Sequence, residues 1–350
     1  MSRFFSQEYA ALEEYVPGEQ PQDKKYIKLN TNESPYPPSP AVLRAVSAQE
    51  VSRLCLYSDP ASRELKKAIA EVHGVRPENV FVSNGSDDIL NFAFMAFGKD
   101  RGVVYPDITY GFYSVFAALH HLDSEVIPLT EDFTVDLSAY MGKNKMIVIA
   151  NPNAPTGIAH TVEALEAVVR SNPDAVVLID EAYVDFGAES MYPLIRKYDN
   201  LLVVQTYSKS RSMAGARLGF AFASEEIIRD LERIKYSTNP YSVNRLTQAA
   251  GVAAMSENEY YMENCKRVME TRAFVTEGLR ALGFTVLPSS ANFVFAKHRT
   301  LSGEEIYQRL RENGILVRHF TSERIKDYNR ITIGAREDME TMLTVLSGIK

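Results

Sequence analysis

The run QTYSKSRSMAGARLGF, residues 205–220, ends an apolar stretch in hydroxyls and bases. Lys209 stands just behind that stretch, flanked by Thr206 and Ser208, with Gly215 and Arg217 following. Most lysines of soluble proteins lie in solvent. A lysine placed directly past a buried strand, among small hydroxyl residues, suits a covalent amine better than a salt-bridge donor. Asp180 poses the matching question, because it closes the apolar run VVLID before EAYVDF. A carboxylate buried there needs a cation or a proton donor to meet it. A metal and a structural ion pair are both open, although no histidine nearby in sequence completes a ligand set.

Two further junctions have the same character. NVFVS runs into NGSDD, where Gly85 permits a tight turn and Ser86 with the following amides can present donors to an anion. The same residues also serve as a plain helix start, with Asn84 or Ser86 as cap and Asp87 and Asp88 on the helix dipole. MIVIA ends in NPNAPTG, dense in residues that impose turns and expose backbone donors.

These side chains collect where apolar runs stop, which is where open α/β sheets bind ligands. The elements that position them alternate between residues 45 and 240. NVFVS, GVVYP, EVIPL, MIVIA, VVLID, LLVVQT and GFAFA read as strands, and RELKKAIAEVHG and TVEALEAVVRS as helices between them. That order predicts a mostly parallel sheet covered by helices on both faces. After Pro240 come a long helical stretch, the strands FTVLP, NFVFAKH, ILVRHF and RITIG, the helix GEEIYQRLRENG and a closing helix, which predict a smaller α+β domain. The proline-rich NESPYPPSP, 32–40, marks a crossing loop or hinge. The expected organisation is an N-terminal arm over 1–30, a large domain over 45–240, and a small domain built from 31–44 and 241–350.

The 350 residues carry a net charge of −7, without a basic run, which argues against nucleic acid as the partner. Two cysteines, Cys55 and Cys265, lie far apart, so neither a disulfide framework nor a zinc knuckle is indicated. No stretch of about 18 apolar residues occurs, and charges come too early in the chain for a secretory leader. The expectation is a cytoplasmic protein without a metal or a membrane anchor.

Taken together, LNTNESPYP, YSDP, SNGSDD, PDITYGFY, NPNAPTG, DEAYVDF, SKSRSMAGARLGF, GILVRHF and RITIGARED resemble the fold type I, pyridoxal-phosphate-dependent aminotransferases, nearly end to end. Within them the resemblance is to the histidinol-phosphate aminotransferase family. It implies a pyridoxal 5'-phosphate cofactor carried on Lys209, which also moves the substrate Cα proton. It implies that Asp180 faces the pyridine nitrogen, Tyr183 donates to the ring oxygen O3', and Tyr110 stacks on the ring. The cofactor phosphate falls to the Ser86 and Asp87 amides, the Thr206 and Ser208 hydroxyls, and Arg217, with Tyr57 reaching it from the neighbouring subunit of a homodimer. Arg330 corresponds to the arginine that binds the amino-acid carboxylate, and Arg318 and Tyr15 to positions linked to a substrate phosphate. The implied reaction transfers an amino group between L-histidinol phosphate and 2-oxoglutarate, giving glutamate, in histidine biosynthesis. An aromatic amino-acid aminotransferase or a threonine-phosphate decarboxylase of the same fold is the alternative, since cofactor motifs handle the ring and not the side chain.

One position departs from the pattern. The family loop reads N-N-P-T-G, its second asparagine donating to O3', and here that position is Ala154. Either Tyr183 carries more of that role, or Asn153 moves in.

Overall fold

A computed structural model of the chain describes residues 2–10, 12–13 and 15–348. Strand β1 (Ile27–Leu29) and helices α1 (Pro40–Ala45) and α2 (Ala48–Ser52) come first, then α3 (Arg63–His73), β2 (Val80–Ser83), α4 (Ser86–Phe97), β3 (Val103–Pro106), α5 (Phe112–Leu119) and β4 (Ser124–Ile127). The chain continues through β5 (Met146–Ala150), α6 (Val162–Ser171), β6 (Val177–Asp180), β7 (Leu201–Thr206), β8 (Gly219–Phe222), α7 (Glu225–Thr238) and α8 (Arg245–Ser256). Its last part is α9 (Asn258–Ala281), β9 (Phe284–Val286), β10 (Phe293–His298), α10 (Gly303–Glu312), β11 (Ile315–His319), β12 (Tyr328–Thr332) and α11 (Arg336–Ser347).

Each of the seven expected strands between 45 and 240 is present, in one sheet of order β2-β8-β7-β6-β5-β3-β4. All neighbours are parallel except β8, which is antiparallel to β2 and β7. Six of the strands are buried on both faces, the physical reason they read as continuous apolar runs. On β5, Ile147 and Ile149 pack into a core with Leu65 of α3 and Leu165 of α6, while Met146 and Val148 face Phe92 of α4 and Phe116 of α5. Edge strand β4 instead alternates exposed and half-buried residues.

The second sheet has the order β1-β11-β12-β10-β9, with β1 parallel to β11 and the other pairs antiparallel. Val268 and Val275 of α9, Ile306 of α10 and Met342 of α11 close its core. Local signals agree with these starts: Thr161 caps α6, Ser224 caps α7, and Ser302 with Glu305 forms a reciprocal capping box on α10. Helix α8 packs on α1 and on α3, and Val42, Ala250 and Ala254 share a core cluster with Ile147 and Ile149 of β5 and with Phe295 and Tyr328 of the second sheet. Among the described residues, no helix is long and apolar enough to cross a membrane.

Two registers place the site. Ala150, Asp180 and Val204 stand side by side at the carboxyl ends of β5, β6 and β7. Ser83 at the end of β2 pairs with Gly219 at the start of β8, bringing the α4 amino terminus beside Arg217.

Candidate active site

Two adjoining cavities open over these strand ends. The inner one, about 440 Å³, is lined by Ser86, Asp87, Asp180, Thr206, Ser208 and Arg217; the outer one, about 730 Å³, by Tyr15, Asn30, Arg318, Phe320 and Arg330. Thr31, Tyr110, Ala154, Tyr183 and Lys209 line both. Lys209 therefore stands at the junction. Its Nζ lies 5.7 Å from the Tyr183 ring centroid and 3.3 Å from the Thr31 carbonyl oxygen, which it can donate to.

At the floor of the inner cavity Asp180 is 5% exposed. Tyr113 Oη donates to its Oδ2 at 2.7 Å and the Ala182 amide to its Oδ1 at 3.2 Å. Burial nevertheless pushes the carboxyl up to about 6, the two donors opposing that rise. Such a group gains most from a cation brought against it, and a protonated ring nitrogen is one such cation. Next to it, Glu181 is buried as well and pushed up to about 7, with the Met191 amide, Gln205 and Ser190 as donors. Glu181 lines neither cavity.

The other end of the inner cavity is a phosphate-sized cradle. Gly85 has φ +90°, which admits the turn from β2 into α4. A Cβ on Gly219 would stand 2.4 Å from the Ser86 nitrogen, so only glycine lets β8 approach the helix start this closely. Thr206 Oγ1 lies 3.0 Å from Ser208 Oγ and 3.3 Å from the Leu218 carbonyl, and it accepts from the Ser208 amide at 3.1 Å, so the two hydroxyls share one edge of the cradle. Arg217, itself at φ +51°, pairs with Asp87 Oδ2 at 3.0 Å, and Tyr110 Oη donates to Asp87 Oδ1 at 2.7 Å. Helix-start amides, two hydroxyls and a guanidinium around one space form a donor set for a phosphate monoester. A carboxylate for a ring nitrogen, an amine for a carbonyl and this cradle fit pyridoxal phosphate.

The outer cavity is arginine-rich. Arg330 donates from Nη2 to the Asn30 carbonyl at 3.1 Å, while its buried Nε has no partner among the described residues. Burial lowers its pKa, opposed by the nearby Tyr183 and Tyr15 oxygens. Arg318 donates to the Val16 and Pro17 carbonyls at 3.0 and 3.1 Å, holding the N-terminal arm across the cavity. Tyr15 on that arm stacks on Phe112 with centroids 4.2 Å apart. Burial raises the Tyr15 pKa, and the two arginines pull it back.

Two expected residues fall outside. Asn153 does not line either cavity: its Nδ2 donates to the Ile108 carbonyl and Thr156 Oγ1, and its Oδ1 accepts from Thr109. That amide is engaged in holding its own loop. Tyr57 is 79% exposed and stacks on Tyr241, away from both cavities of its own chain. Conversely, Tyr113 and Asn32 touch site residues without having been singled out from sequence. The signal for Tyr113 was a lone buried phenol on the apolar helix FYSVFAAL. For Asn32 it was a second asparagine between a strand and a proline-rich crossing.

The family model for class I and II aminotransferases matches residues 24–349. Among similar proteins, one from Brachyspira hyodysenteriae named histidinol-phosphate aminotransferase is 50% identical over 342 residues, covering 97% of this chain and 97% of that protein. Another of that name, from Clostridium acetobutylicum, is 47% identical over 344 residues, with 98% of each chain covered. The fold is similar to the crystal structure of histidinol-phosphate aminotransferase from Sinorhizobium meliloti in complex with pyridoxal-5'-phosphate, with a TM-score of 0.88 at 23% identity over 99% of this chain and 97% of that one.

Proposed function

The chain belongs to the class I and II aminotransferases, and from that membership we propose that it transfers an amino group between L-histidinol phosphate and 2-oxoglutarate in histidine biosynthesis, with pyridoxal 5'-phosphate as cofactor. The observation that carries this reading is Lys209 at the junction of a cofactor-shaped inner cavity and an outer cavity with two arginines. The names of the full-length relatives support the same substrate.

When bound, the cofactor supplies a carbonyl that takes the amino group and an electron-withdrawing ring. Asp180 would hold a proton on the ring nitrogen, Tyr183 would donate to the ring oxygen, and Tyr110 would pack against the ring. The Ser86 and Asp87 amides, Thr206, Ser208 and Arg217 would hold the phosphate. Lys209 takes the proton from the substrate Cα and returns it, a transfer its place at the cavity junction permits. Arg330 binds the carboxylate of glutamate or 2-oxoglutarate, and Arg318 with Tyr15 receives the phosphate ester in the other half-reaction.

The working form in this reading is a cytoplasmic homodimer with shared sites. Leu43, Val51, Leu54 and Leu56 are exposed apolar side chains, as are Tyr57 and Tyr241, which stack on each other, and a second copy would cover them. Both cysteines are free, in keeping with a reducing compartment.

Half-reactions of the purified holoenzyme test the substrate. Histidinol phosphate, phenylalanine, tyrosine and threonine phosphate are mixed separately with the enzyme, and the loss of the cofactor's visible absorbance is followed. Histidinol phosphate is expected to react fastest. A preference for threonine phosphate with release of carbon dioxide would overturn the assignment.

A further inference from the structure

Asn32 lies between β1 and α1, 1% exposed and in the left-handed region at φ +57°. A buried amide in that conformation is held by what it bonds. Its backbone N–H donates to Thr332 Oγ1 at 3.0 Å, Thr332 Oγ1 donates back to Asn32 Oδ1 at 3.0 Å, and Asn292 Nδ2 donates to the Asn32 carbonyl at 3.0 Å. Thr332 thus fixes which end of the side chain is oxygen. The other end, Nδ2, donates to the Tyr183 hydroxyl at 2.9 Å.

A phenol whose oxygen accepts from an amide keeps its own proton for a different acceptor. Tyr183 lines both cavities, and its ring is held edge-on by Phe293 with centroids 5.1 Å apart. Ala154 packs against the same ring, 5% exposed, and brings no donor of its own. Asn153 is bound elsewhere. We infer that Asn32 is a positioning residue: by accepting no proton from Tyr183 and donating one to it, Asn32 makes the Tyr183 hydroxyl a committed donor to the ring oxygen of the bound cofactor, in place of the amide that Ala154 lacks. Since Thr332 is on β12 and Asn292 just before β10, the second sheet sets this donor's direction.

The inference rests on the pyridoxal-phosphate reading, and its test reads the cofactor and not turnover. Donation to the ring oxygen favours its anionic form and holds down the pH midpoint at which the bound cofactor's visible absorbance changes. Asn32→Gly removes the amide yet keeps the left-handed backbone without strain. Its midpoint is expected to rise, by up to about one pH unit for loss of one ordinary hydrogen bond. Tyr183→Phe should raise the midpoint too, and Asn32→Gly should then add nothing. Adding Ala154→Asn to Asn32→Gly should bring the midpoint back down. Thr332→Val, which frees the amide to turn, should shift it in the same direction by less, and serves if the glycine variant does not fold. An unchanged or lowered midpoint in these variants, or a full Asn32→Gly shift persisting in Tyr183→Phe, would overturn the inference. A wild-type protein without cofactor absorbance would overturn the cofactor reading itself, a different result from a spectrum that is present and insensitive.

Discussion

Tyr113 on α5 donates to Asp180 at the end of β6 across 2.7 Å, inside the core that joins helix layer to sheet. The phenol moderates the carboxyl without relieving it, since burial still lifts Asp180 from 3.8 to about 6. The site thus stores an electrostatic cost that a bound cation would repay.

That cost has a pH signature in the cofactor-free protein. A carboxyl raised in the folded state favours its neutral form, so ionisation costs stability; the cost is absent below about pH 4 and complete above about pH 6. Asp180→Asn should therefore be more stable than wild type by roughly 3 kcal/mol at neutral pH, and equal to it in acid. The same variant should lose nearly all turnover. Thermal melts across pH check the first point; a stability difference that does not change with pH would contradict it.

Gly219 yields a prediction about cofactor affinity. A Cβ there would lie 2.4 Å from the Ser86 nitrogen and 2.5 Å from the Gly85 carbonyl carbon, both backbone atoms that cannot turn aside. Gly219→Ala should push β8 off the α4 start and weaken pyridoxal phosphate binding about tenfold or more, the usual scale of overpacking. Gly142, at φ +63° with open space around it, is the control: its alanine variant should lose about 1 kcal/mol of stability and bind cofactor normally. Equal affinities for the two variants in a cofactor titration would count against the cradle.

Much of this site was legible in the sequence because its side chains sit at strand ends, and buried strands announce themselves as apolar runs. Lys209, Asp180, Ser86 and Arg217 are each fixed by a local boundary of that kind. β1 was not, since a three-residue strand with Lys28 at its centre has no pattern and owes its pairing to β11, almost the whole chain away. Asn32 and Tyr113 escaped for the same reason: their partners, Tyr183 and Asp180, are set by tertiary packing. The hydrogen bonds of Asn153 were not legible either, because a residue next to a turn can spend its amide on the turn itself, and only geometry shows where it goes.

Arg330 and Arg318 should separate the two half-reactions. Arg330 offers a buried Nε with no partner among the described residues, so Arg330→Lys, which keeps the charge and loses the fork, should cut kcat/KM for glutamate by roughly ten- to a hundredfold. Arg318→Lys should act mainly on the phosphorylated substrate, and by releasing the Val16 and Pro17 carbonyls it should speed proteolysis within the arm. Kinetics with both substrates decide the matter, and an Arg318→Lys defect confined to glutamate would reverse the assignment.

Tyr57 tests whether the site is shared. Its hydroxyl is far from any role in its own chain's cavities, being 79% exposed against Tyr241 on a surface rich in uncovered leucine and valine. If it reaches the cofactor phosphate of a second copy, a Lys209→Ala chain and a Tyr57→Ala chain complement each other. In a symmetric dimer carrying one of each, one site has both substitutions and the other has neither. Refolding the two variants together at equal amounts makes half the dimers mixed by random pairing, so activity should climb toward about a quarter of wild type. Each variant alone stays below that level, because every site it forms lacks one group. Activity no higher than the average of the two separate variants would mean that Tyr57 serves its own subunit or none.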